Sequence, residues 1–171
     1  MAFMNWQPLL RSDLASVTEL ASGAHPGLPE RREVFAEKIG LFPAGCLKLV
    51  SRGKIAGYGI SHPWRLNSIP PLDEFLGTVP EDPQCLYIHD VVVLPEARGN
   101  GAAGYYIACL KELAEEMKVP ALALVSVYGT GALWSRFGFR AVQNEPPLPE
   151  VSSYGPTARY MFCGILKKNG R

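Results

Sequence analysis

The order of the predicted elements indicates a mixed α/β fold, in which helices flank one sheet of parallel and antiparallel strands. The centre of the chain predicts a strand at 86–94, a helix at 101–118 and a second strand at 121–127. A crossover of this kind joins parallel strands with right-handed chirality. A hairpin precedes it and adds antiparallel pairs. With 171 residues, 47% of them hydrophobic and 19% charged, the chain is long and apolar enough for one packed domain, expected to span 1–171.

The first third of the chain predicts a short strand and two helices. The strand is expected at 6–11. Apolar residues then recur at three-residue steps behind Ser12, which predicts a helix at 12–20 with Ser12 as its N-cap. Glycines and prolines interrupt the chain before a second predicted helix at 30–39. His25 lies in this interruption and is assigned no chemical role.

A hairpin and a long loop come next. The hairpin strands are expected at 46–51 and 54–61, joined by a tight turn. Gly57 and Gly59 lie inside the second strand and predict a close backbone approach or a bulge. The proline-rich stretch 65–84 is expected to be a lid or a disordered loop. The last predicted elements are a short helix at 132–137 and strands at 139–142 and 159–166.

Composition argues against several classes of function. Lys and Arg number 17 against 16 Asp and Glu, and this formal charge of +1 argues against bulk attraction to nucleic acid or to a membrane surface. No apolar run reaches the ~20 residues of a membrane span, and no leader pattern is visible, so a cytoplasmic protein is expected. No spacing of His, Cys, Asp and Glu suits a metal. Four cysteines without a C-x-x-C pair indicate buried thiols of a reducing compartment rather than disulfides, namely Cys46, Cys85, Cys109 and Cys163.

The glycine-rich segment after the central strand carries the clearest chemical signal. It precedes a helix, where unpaired backbone N–H groups and the positive end of the helix dipole attract anions. Small side chains let a phosphate approach those amides, and an arginine adds charge. A pyrophosphate is therefore the expected ligand, because a turn that only needs positive φ would require fewer small residues. The segment comprises Arg98, Gly99, Asn100, Gly101, Ala102, Ala103 and Gly104.

Two other phosphate-binding motifs fit this segment less well. Residues 99–104 read G-x-G-x-x-G, but a dinucleotide-binding oxidoreductase also needs an acidic residue about 20 positions later. After Glu116 the next acidic residue is Glu145. No Gly-Lys-Ser/Thr follows, which excludes a Walker loop. A dinucleotide oxidoreductase stays an alternative that predicts nicotinamide or flavin binding.

Two segments resemble the Gcn5-related N-acetyltransferase (GNAT) family. The run 91–104, VVVLPEARGNGAAG, is similar to the acetyl-coenzyme A motif Arg/Gln-x-x-Gly-x-Gly/Ala, with Arg98, Gly101 and Ala103 at the defining positions. The run 133–139, LWSRFGF, resembles the second segment of the family. The order of the predicted elements also matches, over roughly residues 5–166.

The resemblance implies a GNAT-like, centrally splayed sheet with acetyl-CoA as the cosubstrate. Pantetheine would lie in the gap and pair with the backbone of Val91, Val92 and Val93, and an N–H near Val92 or Val93 would face the thioester oxygen. The acetyl group would pass by direct attack to an amine of a small molecule or a protein, held in a ternary complex. The acceptor would dock against the first helices, the loop 65–84 and the last strands.

The resemblance also suggests a general base. In the family this base is often a Glu or His on the motif strand, which makes His89 the candidate, a residue type with an ordinary pKa of about 6.5. His89 is equally interpreted as a histidine that is only hydrogen-bonded within the strand. Asp90 is interpreted as an alternative base or as a structural acceptor for a loop N–H. Strand alternation predicts one face with Tyr87, His89, Val91 and Val93 and another with Ile88, Asp90 and Val92.

The general acid of the family has no direct counterpart here. The tyrosine that usually protonates the departing thiolate is replaced by Trp134, whose indole N–H donates no proton at neutral pH. Trp134 is expected to pack against pantetheine or in the core. Tyr128, at the end of the preceding strand, is the nearest replacement. The missing tyrosine also supports a second hypothesis, a non-catalytic acyl-CoA-binding or regulatory module. Exposed strands at the C-terminus leave a homodimer open.

Overall fold

A computed structural model describes residues 4–143 and 148–165 and shows a mixed sheet with helices on both faces. The strands are β1 (Met4–Pro8), β2 (Leu47–Ser51), β3 (Lys54–Trp64), β4 (Cys85–Val93), β5 (Ala121–Ser126), β6 (Arg140–Ala141) and β7 (Arg159–Gly164). The α-helices are α1 (Leu14–Ala24), α2 (Arg32–Leu41), α3 (Ala102–Met117) and α4 (Gly131–Arg136). No helix in this described part of the chain is long and apolar enough to cross a bilayer.

The boundaries at the two ends of the chain differ from the predicted ones. β1 ends at Pro8 rather than at residue 11, and a 3-10 turn, Arg11–Asp13, leads into α1. The carboxylate of Asp13 accepts the backbone N–H of Leu10 at 2.8 Å and closes this turn, so the predicted N-cap at Ser12 is wrong. The predicted last strand ended at Leu166, which lies outside the described residues.

The sheet is antiparallel except at its centre, where α3 connects two parallel strands. The strand order is β1-β2-β3-β4-β5-β7-β6, and β4 and β5 form the parallel pair. Their pairing covers Leu86 to Ile88 on β4 and Leu122 to Leu124 on β5. Beyond these residues the two strands separate, which confirms the predicted splay of the sheet. A gap thus opens beside the second half of β4.

A β-bulge in β4 begins where this gap opens. Ile60 of β3 pairs with Asp90, and the next residue, Ser61, pairs with Ile88, so His89 has no partner in the register. An extra residue of this kind reverses the alternation of side chains that follow it. The predicted division of this strand into two faces therefore holds up to His89 and is wrong from Asp90 onwards.

The bulge places two functional candidates on the same side of the sheet. Ile88 packs under α3, and Val91 packs on that side too, although strand alternation had placed the two on opposite faces. Val92 instead joins the core beneath α1 and α2. His89 and Asp90 both reach towards the segment that connects those two helices, where they contact Glu30 and His25 respectively. Sequence alternation had separated them.

The glycines of β3 allow close packing beneath α3. A β-carbon at Gly59 would overlap the ring of Tyr106, which is fully buried, and one at Gly57 would overlap the backbone of Val92. The hydroxyl of Tyr106 donates to the carbonyl of Gly45 at 2.7 Å, which fixes the ring in this position. The predicted close approach in this strand is therefore confirmed.

The loop 65–84 is tied to α2. Asp73 accepts the backbone N–H of Arg31 at 2.6 Å and its guanidinium at 3.1 Å. Farther along the loop, Glu37 of α2 accepts the backbone N–H groups of Leu76 and Gly77 at 2.6 and 3.0 Å. These bonds satisfy backbone groups that no sheet pairs, so the loop forms a strap across α2 rather than a disordered segment.

Candidate active site

A cavity of about 680 Å³ occupies the gap between β4 and β5 and runs from the N-terminus of α3 to the end of α1. It gathers residues that are far apart in the sequence. Of the residues that the sequence predicted to bind the cofactor, Asn100 does not line the cavity, whereas the others do: Val91, Val92, Val93, Arg98, Gly99, Gly101, Ala102, Ala103, Gly104 and Trp134. The predicted acid–base residues also line it, namely His89, Asp90 and Tyr128.

The glycine-rich turn forms one end of the cavity. Gly99 and Gly101 have φ values of 81° and 73°, a left-handed conformation that glycine adopts without steric cost. Nothing lies within 4 Å of the place where a β-carbon of either residue would be, so this end is open. The first helical bond at this end of α3 runs from Tyr105 N–H to the carbonyl of Gly101 at 2.9 Å. The amides before Tyr105 are those that helix geometry leaves without an intrahelical partner.

Two polar side chains hold this turn. The Nε of Arg98 donates to the carbonyl of Val93 at 2.8 Å, which fastens the turn to the end of β4. The side-chain amide of Asn100 donates to the carbonyl of Arg98 at 3.3 Å. Asn100 therefore supports the loop from outside the cavity. Gly104 packs against the ring of Phe137, which leaves no room for a side chain there.

The second half of β4 presents free backbone groups to the gap. The N–H of Leu94 donates to Ala56 of β3 at 2.8 Å. Because successive amides of a strand point to opposite edges, the N–H of Val92 also faces β3, and those of Val91 and Val93 face the gap. Of the two amides that the sequence proposed, at Val92 and Val93, only the one at Val93 faces the gap, as does the amide of Val91 two residues earlier.

Trp134 lies on α4 and serves the cavity and the core together. Its ring meets those of Phe137 and Phe139 edge-on, at centroid distances of 6.1 and 6.0 Å. It packs against the cluster beneath α3 and also lines the cavity. The expected core packing of Trp134 is therefore present, and its packing against pantetheine stays a prediction.

His89 is held by a carboxylate that sequence reasoning missed. Its Nε2 lies 2.8 and 3.0 Å from the two carboxylate oxygens of Glu30, just before α2. The side chain of His89 is 1% exposed, and its Nδ1 is buried with no hydrogen-bond partner among the described residues. Burial favours a higher pKa for Glu30, but the hydrogen bond and charge of His89 outweigh it, so the pKa of this carboxyl lies below its usual value.

A second histidine, His25, lies at the same end of the cavity. It directly follows α1, and its Nε2 lies 2.9 Å from Oδ1 of Asp90. Its Nδ1 lies 3.2 Å from the hydroxyl of Tyr128, and the two rings stack with centroids 5.7 Å apart. The hydroxyl of Tyr58 donates to Oδ2 of Asp90. Asp90 thus binds side chains, not the loop N–H that the sequence suggested.

The protonation states along this row follow from its contacts. Burial lowers the pKa of His25, but the hydrogen bond and charge of Asp90 outweigh it, so the pKa is raised overall. Burial and the charge of Asp90 both raise the pKa of Tyr128, and burial is the larger cause. The pKa of Tyr58 is raised well above its usual value for the same two reasons. Both tyrosines therefore keep their protons at neutral pH.

Neither His25 nor Glu30 carried a local signal in the sequence. Each reaches its partner on β4 across about 60 positions, 65 for His25 with Asp90 and 59 for Glu30 with His89. No spacing rule connects residues so far apart. In the part of the chain that the structure describes, no group of three or more His, Cys, Asp or Glu side chains is arranged to hold a metal ion.

A splayed mixed sheet with a glycine-rich helix start beside the gap defines a class of protein, those with a GNAT fold. A sequence model of the acetyltransferase (GNAT) family matches residues 14–139. The chain therefore belongs to the GNAT family of acetyltransferases, and the family predicted from its two segments is confirmed. No curated protein sequence is significantly similar to this chain.

Solved structures with the same fold cover nearly the whole chain. The loading GNATL domain of CurA from Lyngbya majuscula aligns with a TM-score of 0.75 at 15% identity, over 95% of this chain and 98% of that one. The ribosomal-protein-S18-alanine N-acetyltransferase from Escherichia coli aligns with a TM-score of 0.67 at 19% identity, over 99% of both chains. The N-acetylglutamate synthase from Neisseria gonorrhoeae, in complex with coenzyme A and N-acetyl-glutamate, aligns with a TM-score of 0.71 at 17% identity, over 98% of this chain and 36% of that one.

Proposed function

We propose that this protein transfers an acetyl group from acetyl-CoA to a primary amine, which attacks the thioester directly in a ternary complex. The observation that carries the proposal is the continuity of one cavity. It joins the start of α3, the free edge of β4 and a set of acid–base side chains around His25 and His89. Such a reaction needs a group that binds the cosubstrate, a surface that orients its thioester and side chains that transfer protons.

The cavity fits a phosphate-bearing carrier at the α3 end. The open space at Gly99 and Gly101 leaves room for a pyrophosphate beside the amides of the first turn of α3. Arg98 supplies a positive charge next to these amides. Its Nε is engaged by Val93, so the terminal guanidinium nitrogens would meet the phosphates.

The edge of β4 would bind the pantetheine arm. The N–H groups of Val91 and Val93 face the gap, where an amide-containing chain can pair with them as a further strand would, while the carbonyl of Val93 is already bonded to Arg98. The N–H of Val93 or Val91 would donate to the thioester oxygen as negative charge develops there. This chain's role at that point is to hold the carbonyl and to stabilise its charge.

The acceptor amine would enter at the other end of the cavity. Its walls are apolar at Ala24, Leu28 and Leu72, and its polar groups are the carboxylates of Glu30 and Asp90 with their histidines. Two carboxylates in a partly buried site favour a cationic amine over a neutral or acidic group. His89 stays the candidate base predicted from the sequence, now with Glu30 as its partner.

The test is an acceptor screen with the full chain. The protein is incubated with acetyl-CoA and a panel of small primary amines, peptides with free N-termini and lysine peptides. Free thiol and acetylated product are both measured, against a reaction without acceptor. We expect thiol release that depends on one class of amine. Binding of coenzyme A without thiol release on any acceptor would support the non-catalytic acyl-CoA-binding module instead, and no binding at all would contradict both.

A further inference from the structure

Four side chains from four different parts of the fold form one hydrogen-bonded row at the acceptor end of the cavity. Tyr128 follows β5, His25 follows α1, Asp90 lies in β4 and Tyr58 lies in β3. The contacts are Tyr128 to His25 at 3.2 Å, His25 to Asp90 at 2.9 Å, and Tyr58 to the other oxygen of Asp90. His25 lies outside both segments on which the family resemblance rests.

The donors and acceptors of this row assign its protons. A carboxylate can only accept, so Nε2 of His25 carries the proton that bonds to Asp90. In the neutral imidazole the Nδ1 of His25 then has a free electron pair, which accepts the hydroxyl proton of Tyr128. Asp90 cannot turn away from His25, because Tyr58 holds its second oxygen. The hydrogen bonds from Tyr128 to His25 and from His25 to Asp90 therefore both donate towards Asp90.

Exposure decreases in the same direction. Tyr128 is 56% exposed, whereas the side chains of His25 and Asp90 are 19% and 11% exposed. The hydroxyl of Tyr128 is thus the member of the row that a substrate can reach, and the compensating charge lies behind it. The other tyrosine among the described lining residues, Tyr154, is engaged differently, since its hydroxyl donates to the carbonyl of Pro70 at 2.8 Å.

We propose that Tyr128 is the catalytic proton-transfer group of the acetyl transfer, that His25 receives its proton and returns it, and that Asp90 positions His25. This inference rests on the proposed function. The ammonium form of the acceptor first loses one proton to solvent, with His89 as the candidate base. As the nitrogen of the neutral amine then bonds to the acetyl carbon, the oxygen of Tyr128 accepts the second proton that the nitrogen loses, while its own proton moves to Nδ1 of His25. As the carbon–sulfur bond breaks, Tyr128 donates a proton to the thiolate and regains one from His25. The protein ends with the protons it began with.

The charges around His25 suit this temporary role. The titratable groups that face it are Asp90 on β4, Glu30 before α2 and Tyr128 after β5. The two carboxylates favour an imidazolium at His25, and they raise its pKa despite burial. A histidine beside two carboxylates can therefore hold the second proton while the thiolate departs. Trp134 stands on α4 where the family usually has a tyrosine, and Tyr128 after β5 supplies the phenol instead.

The test compares three variants with a matched control. Tyr128→Phe, His25→Gln and Asp90→Asn should each lower kcat by about 10- to 100-fold, with little change in the KM for acetyl-CoA. The pH dependence of kcat should change in all three, because the same row titrates. Tyr105→Phe removes the same hydroxyl from a tyrosine of α3 that is 64% exposed and lies outside the cavity, and it should leave kcat unchanged.

Two further measurements separate proton transfer from a structural role. Added imidazole should restore turnover to His25→Ala and not to Tyr128→Phe. An NMR titration should show a lower pKa for His25 in Asp90→Asn than in the parent protein. If Tyr128→Phe and His25→Gln keep the parent's kcat and pH profile while thiol release continues, the proposal is wrong and the proposed function stands. If the parent protein releases no thiol with any amine, both are wrong. Tyr128→Phe alters one exposed hydroxyl, so it stays informative if a buried variant does not fold.

Discussion

The contact between Gly59 and Tyr106 shows how much a single residue decides here. Tyr106 is a large, fully buried side chain, and its ring occupies the space that a β-carbon at Gly59 would need. The hydrogen bond from its hydroxyl to Gly45 prevents the ring from moving aside without the loss of that bond. The close approach could be anticipated from a glycine inside a strand, but the partner that makes it necessary could not.

Gly59→Ala should therefore destabilise the protein, by about 1–3 kcal/mol, as overpacking of a rigid core does. The measurement is the free energy of unfolding in urea. Gly164→Ala is the matched control, because Gly164 also lies in a strand and nothing lies within 4 Å of its missing β-carbon. Equal stabilities of the two variants would contradict this account of the packing.

Side chains that meet across the fold mark the limit of sequence reasoning at this scale. His89, Asp90 and Tyr128 could be proposed because the family resemblance points to acid–base groups on or beside the predicted strands where they lie. His25 and Glu30 could not, since their roles depend on where the segment between α1 and α2 comes to rest against β4. Tertiary packing alone brings a histidine of a turn next to an aspartate of the central strand.

Among the elements, α3 begins in the way that its sequence predicted. The glycines before it adopt left-handed conformations, and its first turn borders open space. The order of strands and helices was likewise predictable from periodicity and from glycine and proline breaks. The reversal of the two faces of β4 was not, because a bulge depends on the register with β3 and leaves no mark in the alternation itself.

Gly101→Glu tests the start of α3 as the phosphate site. A carboxylate at this position would repel a phosphate and fill the open space, so the affinity for coenzyme A should fall by about tenfold or more. Gly101→Ala is the control, since it shares the strain of a side chain at positive φ and adds only a methyl group and no charge. Calorimetric titration with coenzyme A gives both affinities. Similar values for the two variants would argue against phosphate binding at this turn.

The stability of the whole molecule depends on pH through a buried histidine, His62, that is neutral in the folded chain. His62 is fully buried, and burial is the main cause that lowers its pKa to about 3. The charges of His89 and Lys38 lower it further, while the hydrogen bond to the carbonyl of Pro63 acts in the opposite direction. The folded chain therefore leaves this imidazole unprotonated at mildly acidic pH, where the unfolded chain binds a proton.

The free energy of unfolding should consequently fall as the pH decreases from about 6.5 towards 3, by up to about 1.4 kcal/mol per pH unit from His62 alone. His62→Gln should flatten this part of the curve, whatever its effect at neutral pH. His25→Gln provides a contrast, because the pKa of His25 is raised and its removal should not flatten the curve. Urea unfolding at a series of pH values measures both slopes. An unchanged slope in His62→Gln would refute the assignment.

The short pairing between β4 and β5 also links occupancy to stability. The halves of the sheet, β1 to β4 and β5 to β7, share three residue pairs, and side chains packed on both faces of the sheet bridge them elsewhere. Any molecule that hydrogen-bonds along both separated edges connects the halves directly and has no such binding site on the unfolded chain. Binding of such a molecule therefore raises the free energy of unfolding. The interactions that hold the bound molecule also make the protein more rigid while it is bound.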